Sequence, residues 1–135
     1  FAVHGGEGER SRLALPVWRA VYLLDGERGA IAWAPSSGGA LHPFFVLDLA
    51  GDPARTELDD ALVEGLSGRE PPTVEVGEGA VSVLLATEAG RSWYLIVGGR
   101  TPGRPEPGPD EREDLLFLAG ECAGLLLHRE LAGEV

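Results

Sequence analysis

Apolar residues lie along the chain in short blocks separated by glycine- and proline-rich breaks, and the period within each block predicts its element. Residues 1–12 mix glycine and charge without an apolar period and predict a flexible lead-in, which leaves 13–135 as a single domain. "VWRAVYLL", Val17 to Leu24, is rich in β-branched and aromatic residues. With "DGERGA" as a turn and "IAWA" from Ile31 as a second strand, it predicts a hairpin. The following "PSSGGALHPFFVLDLAGDPAR" is broken by glycine and proline; only "FFVLDLA" is apolar enough to be buried, and this irregular stretch is expected to wall a pocket. Thr56 and Asp59 fit a capping box for a short helix from Glu57 to Leu66, ended by Gly68. "PPTVEV", "AVSVLLA" and "SWYLIVGG" predict three strands, the last two joined by the turn "TEAGR". Both long strands are apolar on both faces, so both faces of the sheet are expected to be covered.

"DEREDLLFLAGECAGLLLHREL" is a helix whose start carries Asp110, Glu111, Glu113 and Asp114 and whose last turns carry His128 and Arg129, as the macrodipole favours. Its apolar residues, from Leu115 to Leu127, span more than one contact surface can bury. Gly120 and Gly124, one turn apart, would let another backbone approach: that of a second copy, or that of the chain's own sheet.

Ahead of this helix, "IVGGRTPGRPEPGPDERED" places four residues between Gly98 and Gly103, as a phosphate loop requires. The pattern then needs Lys and Ser or Thr, where this chain has Arg104 and Pro105. Pro102, Pro105, Pro107 and Pro109 offer no N–H to a phosphate, and the helix start expected near Pro109 is remote from Gly103. The stretch reads as a connector.

Composition narrows the partners. The net charge is −11 and every one of the 11 basic residues is arginine, which argues against nucleic acid or an anionic membrane surface. The uncharged run from Gly29 to Leu47 is interrupted by Pro35 and Pro43 and does not predict a spanning helix. A single cysteine, Cys122, excludes an internal disulfide and a cysteine-rich metal site and points to a reducing, cytoplasmic setting. The absence of Lys, Asn, Gln and Met beside abundant Ala, Gly, Arg and Leu reads as coding bias in a GC-rich bacterium. With Phe1 at its start and no methionine, the chain is expected to be a piece of a longer product.

Taken together, the hairpin, the irregular middle with its short helix, the "WYLIVGG" strand ending in glycine and the acidic start of "DEREDLLFLAGECAGLLLHREL" resemble the GAF domain, closely from Asp110 to Leu131 and loosely back to Val17. The resemblance implies an α+β fold: an antiparallel sheet of five or six strands flanked by helices, with a long C-terminal helix on one face and a small-molecule pocket on the other. It further implies a non-catalytic sensory or regulatory module of a larger bacterial signalling protein, with an output domain beyond the last helix and homodimerisation through that helix. The N-terminal helix that such domains bring to pair with the last one is expected to be missing or truncated. The alternative is a protein-binding scaffold of roadblock- or profilin-like type that dimerises and has no pocket.

The specialised chemistries of GAF domains do not transfer. A chain without Asn and Lys lacks the Asn-Lys-Phe-Asp-Glu signature of cyclic-nucleotide binders, Cys122 falls in the last helix instead of beside a bilin, and sulfoxide reduction needs several cysteines. Ser36, Ser37, His42 and Asp48 lie close in sequence but without a nucleophile elbow. His4, His42 and His128 have no metal-ligand spacing. No enzyme activity or particular cofactor is therefore expected. What remains is a ligand pocket walled by Trp33, His42, Phe44, Phe45 and Trp93, with Tyr94 as a further aromatic wall and His42 or Arg91 as polar anchor; the competing reading is that the aromatics are core.

Overall fold

Leu13, Val17, Ala20, Val21 and Leu24 are all buried, and their spacing is that of one helix face. In the computed structural model they belong to or bound α1 (Ala14–Leu23), so the strand expected over Val17 to Leu24 is corrected to a helix. Burial on a 3.6-residue period outweighs the β-propensity of Val17, Trp18, Val21 and Tyr22. Pro16 sits in the first turn, where a missing N–H costs nothing. The helix closes through Gly26 N–H donating to the Val21 carbonyl at 2.9 Å, with Asp25 in the left-handed region (φ 56), so the expected turn follows a helix instead of a strand. The structure describes residues 2–4, 12–49, 60–66, 68–77, 79–99, 103 and 105–133, and side chains within these except those of 2–4, 60–61 and 127–133.

The remaining elements are β1 (Ala2–His4), β2 (Arg28–Pro35), β3 (His42–Asp48), α2 (Asp60–Glu64), β4 (Thr73–Gly77), β5 (Ala80–Glu88), β6 (Arg91–Gly98) and α3 (Pro109–Gly133). The strands form one antiparallel six-stranded sheet in the order β1-β3-β2-β6-β5-β4. Within the stretch expected to be a loose lead-in, β1 pairs with the edge of β3. Ala89 (φ 53) and Gly90 (φ 76) turn β5 into β6 as a two-residue hairpin, where "TEAGR" predicts it. The short middle helix is present as α2; Thr56 and Asp59, expected to cap it, lie outside the described residues.

Two clusters cover the two faces. Ile31, Val81, Val83, Leu95 and Val97 join Leu13, Val17 and Val21 of the α1 region and Leu115, Leu118, Ala119, Cys122 and Leu126 of α3 in the larger core. On the other face Ala32, Ala34, Leu84, Tyr94 and Ile96 pack with Leu41, and with Val63 and Leu66 at α2. The N-terminal helix expected to be missing is therefore supplied by α1, which packs beside α3. Gly29 makes its close seating possible: a Cβ there would lie 2.6 Å from a methyl of Val17 and 2.6 Å from one of Val21.

Candidate functional site

Of the side chains expected to wall a pocket, Tyr94 packs on the α2 side of the sheet; the other six divide into two groups tied to the side that carries α1 and α3. Trp33 pairs across the ladder with His42 on β3 and with Trp93 on β6. His42 stacks on Trp33 with ring centroids 4.3 Å apart, and the Arg91 guanidinium lies 4.1 Å from the centre of the Trp33 ring. Because β3 and β6 flank β2 on opposite sides, imidazole and guanidinium reach the indole from opposite directions. His42 and Arg91 are exposed and Trp33 is half-buried, so the three form a surface stack at one end of the sheet.

Phe44, Phe45 and Trp93 belong to the main core. Phe45 is fully buried, and Phe44 meets Trp93 edge-on at 5.3 Å. Strict alternation would send Phe44 and Phe45 to opposite faces. The register between β2 and β3 shifts between Ile31 and Ala32, leaving Phe44 as the extra residue, and this bulge places both rings in the helix-side cluster. The structure thus brings Trp33, His42 and Arg91 together, and Phe44 with Trp93, without one cavity shared by all six.

On the opposite face the polar groups bond to one another. Ser36 and Ser92 hydroxyls lie 3.2 Å apart, and Ser82 Oγ donates to the Leu62 carbonyl at 3.5 Å. Burial pushes the Tyr94 phenol up from its ordinary value, opposed by its hydrogen bond with Ser92.

Sequence reasoning missed an apolar groove of about 300 Å³ between α1 and α3. Trp18, Arg19, Tyr22 and Leu23 form one wall; Asp114, Phe117 and Leu118 form the other. Trp18 and Tyr22 stack at 5.6 Å, and the helices leave Leu15 55%, Trp18 37%, Tyr22 74% and Phe117 68% exposed. The signal was in the sequence: once Val17 to Leu23 is helical, Leu15, Trp18 and Tyr22 share a face at i, i+3 and i+7, away from the buried positions.

The two glycines of α3 continue this open side. Gly120 and Gly124 are exposed, and a Cβ at either would meet nothing within 4 Å, so they do not serve close packing on the chain's own sheet. Cys122 points inward instead, fully buried; burial first and the neighbouring Glu121 carboxylate second push its thiol up to about 12. Among the described residues no group of His, Cys, Asp and Glu has a metal-binding arrangement. His128 and Arg129 lie outside the described side chains. The helix after the connector begins at Pro109, where the sequence places it, with Arg112 Nε donating to the Pro107 carbonyl at 3.2 Å. No described helix is long and apolar enough to cross a membrane.

No protein-family model matches the sequence, and no curated protein sequence does. Solved structures do match in three dimensions. The GAF3 photoproduct state of Slr1393 from Synechocystis sp. PCC6803 superposes with a TM-score of 0.64 at 13% identity, over 94% of this chain and 98% of that one. The GAF-B domain of DevS from Mycobacterium smegmatis gives 0.62 at 17% identity, over 95% and 100%. The red/green cyanobacteriochrome NpR6012g4 in its green-light-absorbing state gives 0.59 at 13%, over 96% and 99%. Each match spans nearly the whole of both chains: this chain has the fold of a GAF domain.

Proposed function

We propose that this chain is a non-catalytic regulatory module of a bacterial cytoplasmic signalling protein that self-associates as a homodimer through the outer face of α1 and α3, coupling to an output domain through α3. The observation that carries this reading is the exposed aromatic strip of Trp18, Tyr22 and Phe117 along an apolar groove, continued by the bare surface at Gly120 and Gly124. A contiguous apolar patch with aromatic anchors marks an interaction surface. The GAF fold itself supports a sensory or regulatory role, since the similar structures include a cyanobacteriochrome and a domain of DevS. Dimerisation takes precedence over ligand binding because the expected pocket residues are engaged with each other or with the core.

Sedimentation velocity over a concentration series tests the proposal. Phe117→Ala removes an exposed ring and leaves the monomer's core intact; it is expected to weaken the dimer by about 10- to 100-fold, or about 1.4–2.8 kcal/mol. Gly124→Leu fills the open face and should weaken it as well. A wild-type chain that stays monomeric up to sub-millimolar concentration, with both variants indistinguishable from it, refutes the proposal.

A further inference from the structure

We infer that the outer edge of β4 is a strand-addition site for an extended segment of a partner protein with an apolar-basic-apolar core. The sheet order ends at β4, so among the described residues no strand pairs with its outer side. An edge strand presents a row of N–H and C=O groups on which another strand can form. The register between β4 and β5 identifies these groups. Only two residues separate Gly77 from its partner Ala80, which makes this closing pair a hydrogen-bonded one, and alternation makes Glu75–Ser82 and Thr73–Leu84 the next two. Val74 and Val76 face Val83 and Val81 in the non-hydrogen-bonded pairs and therefore turn their N–H and C=O groups outward. Pro71 and Pro72, which have no N–H, bound the edge at one end.

The two faces of this edge differ in chemistry. On one face α1 lies chiefly on β2 and α3 on β5, so the flank of α3 turned away from α1 looks toward β4. With Asp114 on the α1 side, helical spacing puts Leu116 and Ala123 on that flank. Both are half-buried against the main core, as are Val74 and Val76 at the margin of the sheet. A strand laid against β4 would set alternate side chains among these four apolar groups and bury them. On the other face Glu75 stands beside its partner Ser82, whose hydroxyl donates to the Leu62 carbonyl at α2. In the added strand the residue opposite Glu75 falls in a non-hydrogen-bonded pair, where side chains are closest, and a Lys or Arg there meets the carboxylate. A second copy of β4 fits poorly. The register that bonds Val74 of each copy to Val76 of the other sets Glu75 against Glu75, between chains that each carry a net charge of −11. The same net charge draws a basic partner.

Amide NMR of the isotope-labelled chain, titrated with the capped peptide Thr-Val-Lys-Val-Lys-Val-Thr, tests the site. The Val74 and Val76 amides are expected to shift most and to exchange more slowly with solvent. Val76→Pro removes one outward N–H while the bonds from β4 to β5 remain, and it should weaken peptide binding roughly tenfold. Glu75→Lys should weaken it roughly fivefold and favour the peptide with Glu at both Lys positions. Amide spectra unchanged away from β4 show that each variant folds; if Val76→Pro does not, Glu75→Lys carries the test alone. No shift at β4 with peptide up to about 1 mM, or equal binding of the Lys and Glu peptides by wild type and Glu75→Lys, would overturn the inference. Concentration-dependent loss of the Val74 and Val76 signals without peptide, abolished by Val76→Pro, would place a second copy on the edge and overturn the basic partner. Phe117→Ala should leave peptide binding unchanged, so this edge and the α1–α3 surface stand or fall separately.

Discussion

Replacing Gly29 by alanine tests the seating of α1 on the sheet. The new Cβ would stand 2.6 Å from Val17 Cγ1, 2.6 Å from Val21 Cγ2 and 3.6 Å from the Val17 carbonyl oxygen. Carbon–carbon contacts are comfortable near about 3.5–4.0 Å, so both methyls must retreat by about 1 Å. Rotation gives little relief, because a helical valine has one strongly preferred χ1 well. The helix must instead lift or slide, loosening its contacts with β2. Overpacking of this kind costs about 1–3 kcal/mol, whereas relieving glycine of its conformational freedom in a strand returns about 0.5–1 kcal/mol. Overpacking wins by about 1–2 kcal/mol, a fall in Tm of roughly 3–8 °C for a domain of this size. Urea unfolding followed by circular dichroism measures it. In a Val21→Ala background, which removes one of the two methyls, the same substitution should cost at least about 0.5 kcal/mol less. A Gly29→Ala chain as stable as wild type, or no coupling to Val21, would refute the close seating of this helix.

Two further outcomes follow from buried and stacked groups. The Cys122 thiol is held up to about 12, so it should resist thiol reagents in the folded chain and react on unfolding. Because the unfolded thiol ionises near its ordinary value of about 8.5 while the folded one stays neutral, this group's stabilisation is full below that pH. It is lost at up to about 1.4 kcal/mol per pH unit as pH rises toward the folded value, and Cys122→Ala should flatten that part of the pH profile. Arg91→Ala removes the cation beside Trp33 and should cost about 0.5 kcal/mol, with a shift in tryptophan emission; the effect should vanish in a Trp33→Leu background.

The strands from Thr73 onward and the last helix were legible because each carries a signal matched to its final environment. The runs Val83 to Ala86 and Trp93 to Val97 are apolar at consecutive positions because α1 and α3 cover one face of their strands and α2 the other. α3 begins at Pro109 with acidic residues in its first turn. Val17 to Leu24 carries two opposed signals: its β-branched and aromatic residues are strand formers locally, yet its buried set, Val17, Ala20, Val21 and Leu24, has the period of a helix. The candidate site was less legible. Adjacent aromatics such as Phe44 and Phe45 carry no mark of the bulge that brings both to one side. The groove exists only where two helices far apart in sequence lie together, and a strand over Val17 to Leu24 leaves no such pair.

The order of the strands has a kinetic consequence. β2 pairs with its near neighbour β3 on one side but with β6 on the other, where Ile31 meets Leu95 across most of the chain between them. β4, β5 and β6 zip by short turns, and β2 with β3 by a modest loop, so two antiparallel ribbons can form locally. Joining them at the β2–β6 seam closes the largest loop in the sheet and completes the surface on which α1 and α3 rest. That seam sets the entropic barrier to folding, and both helices that form the groove gain their full support only after it closes.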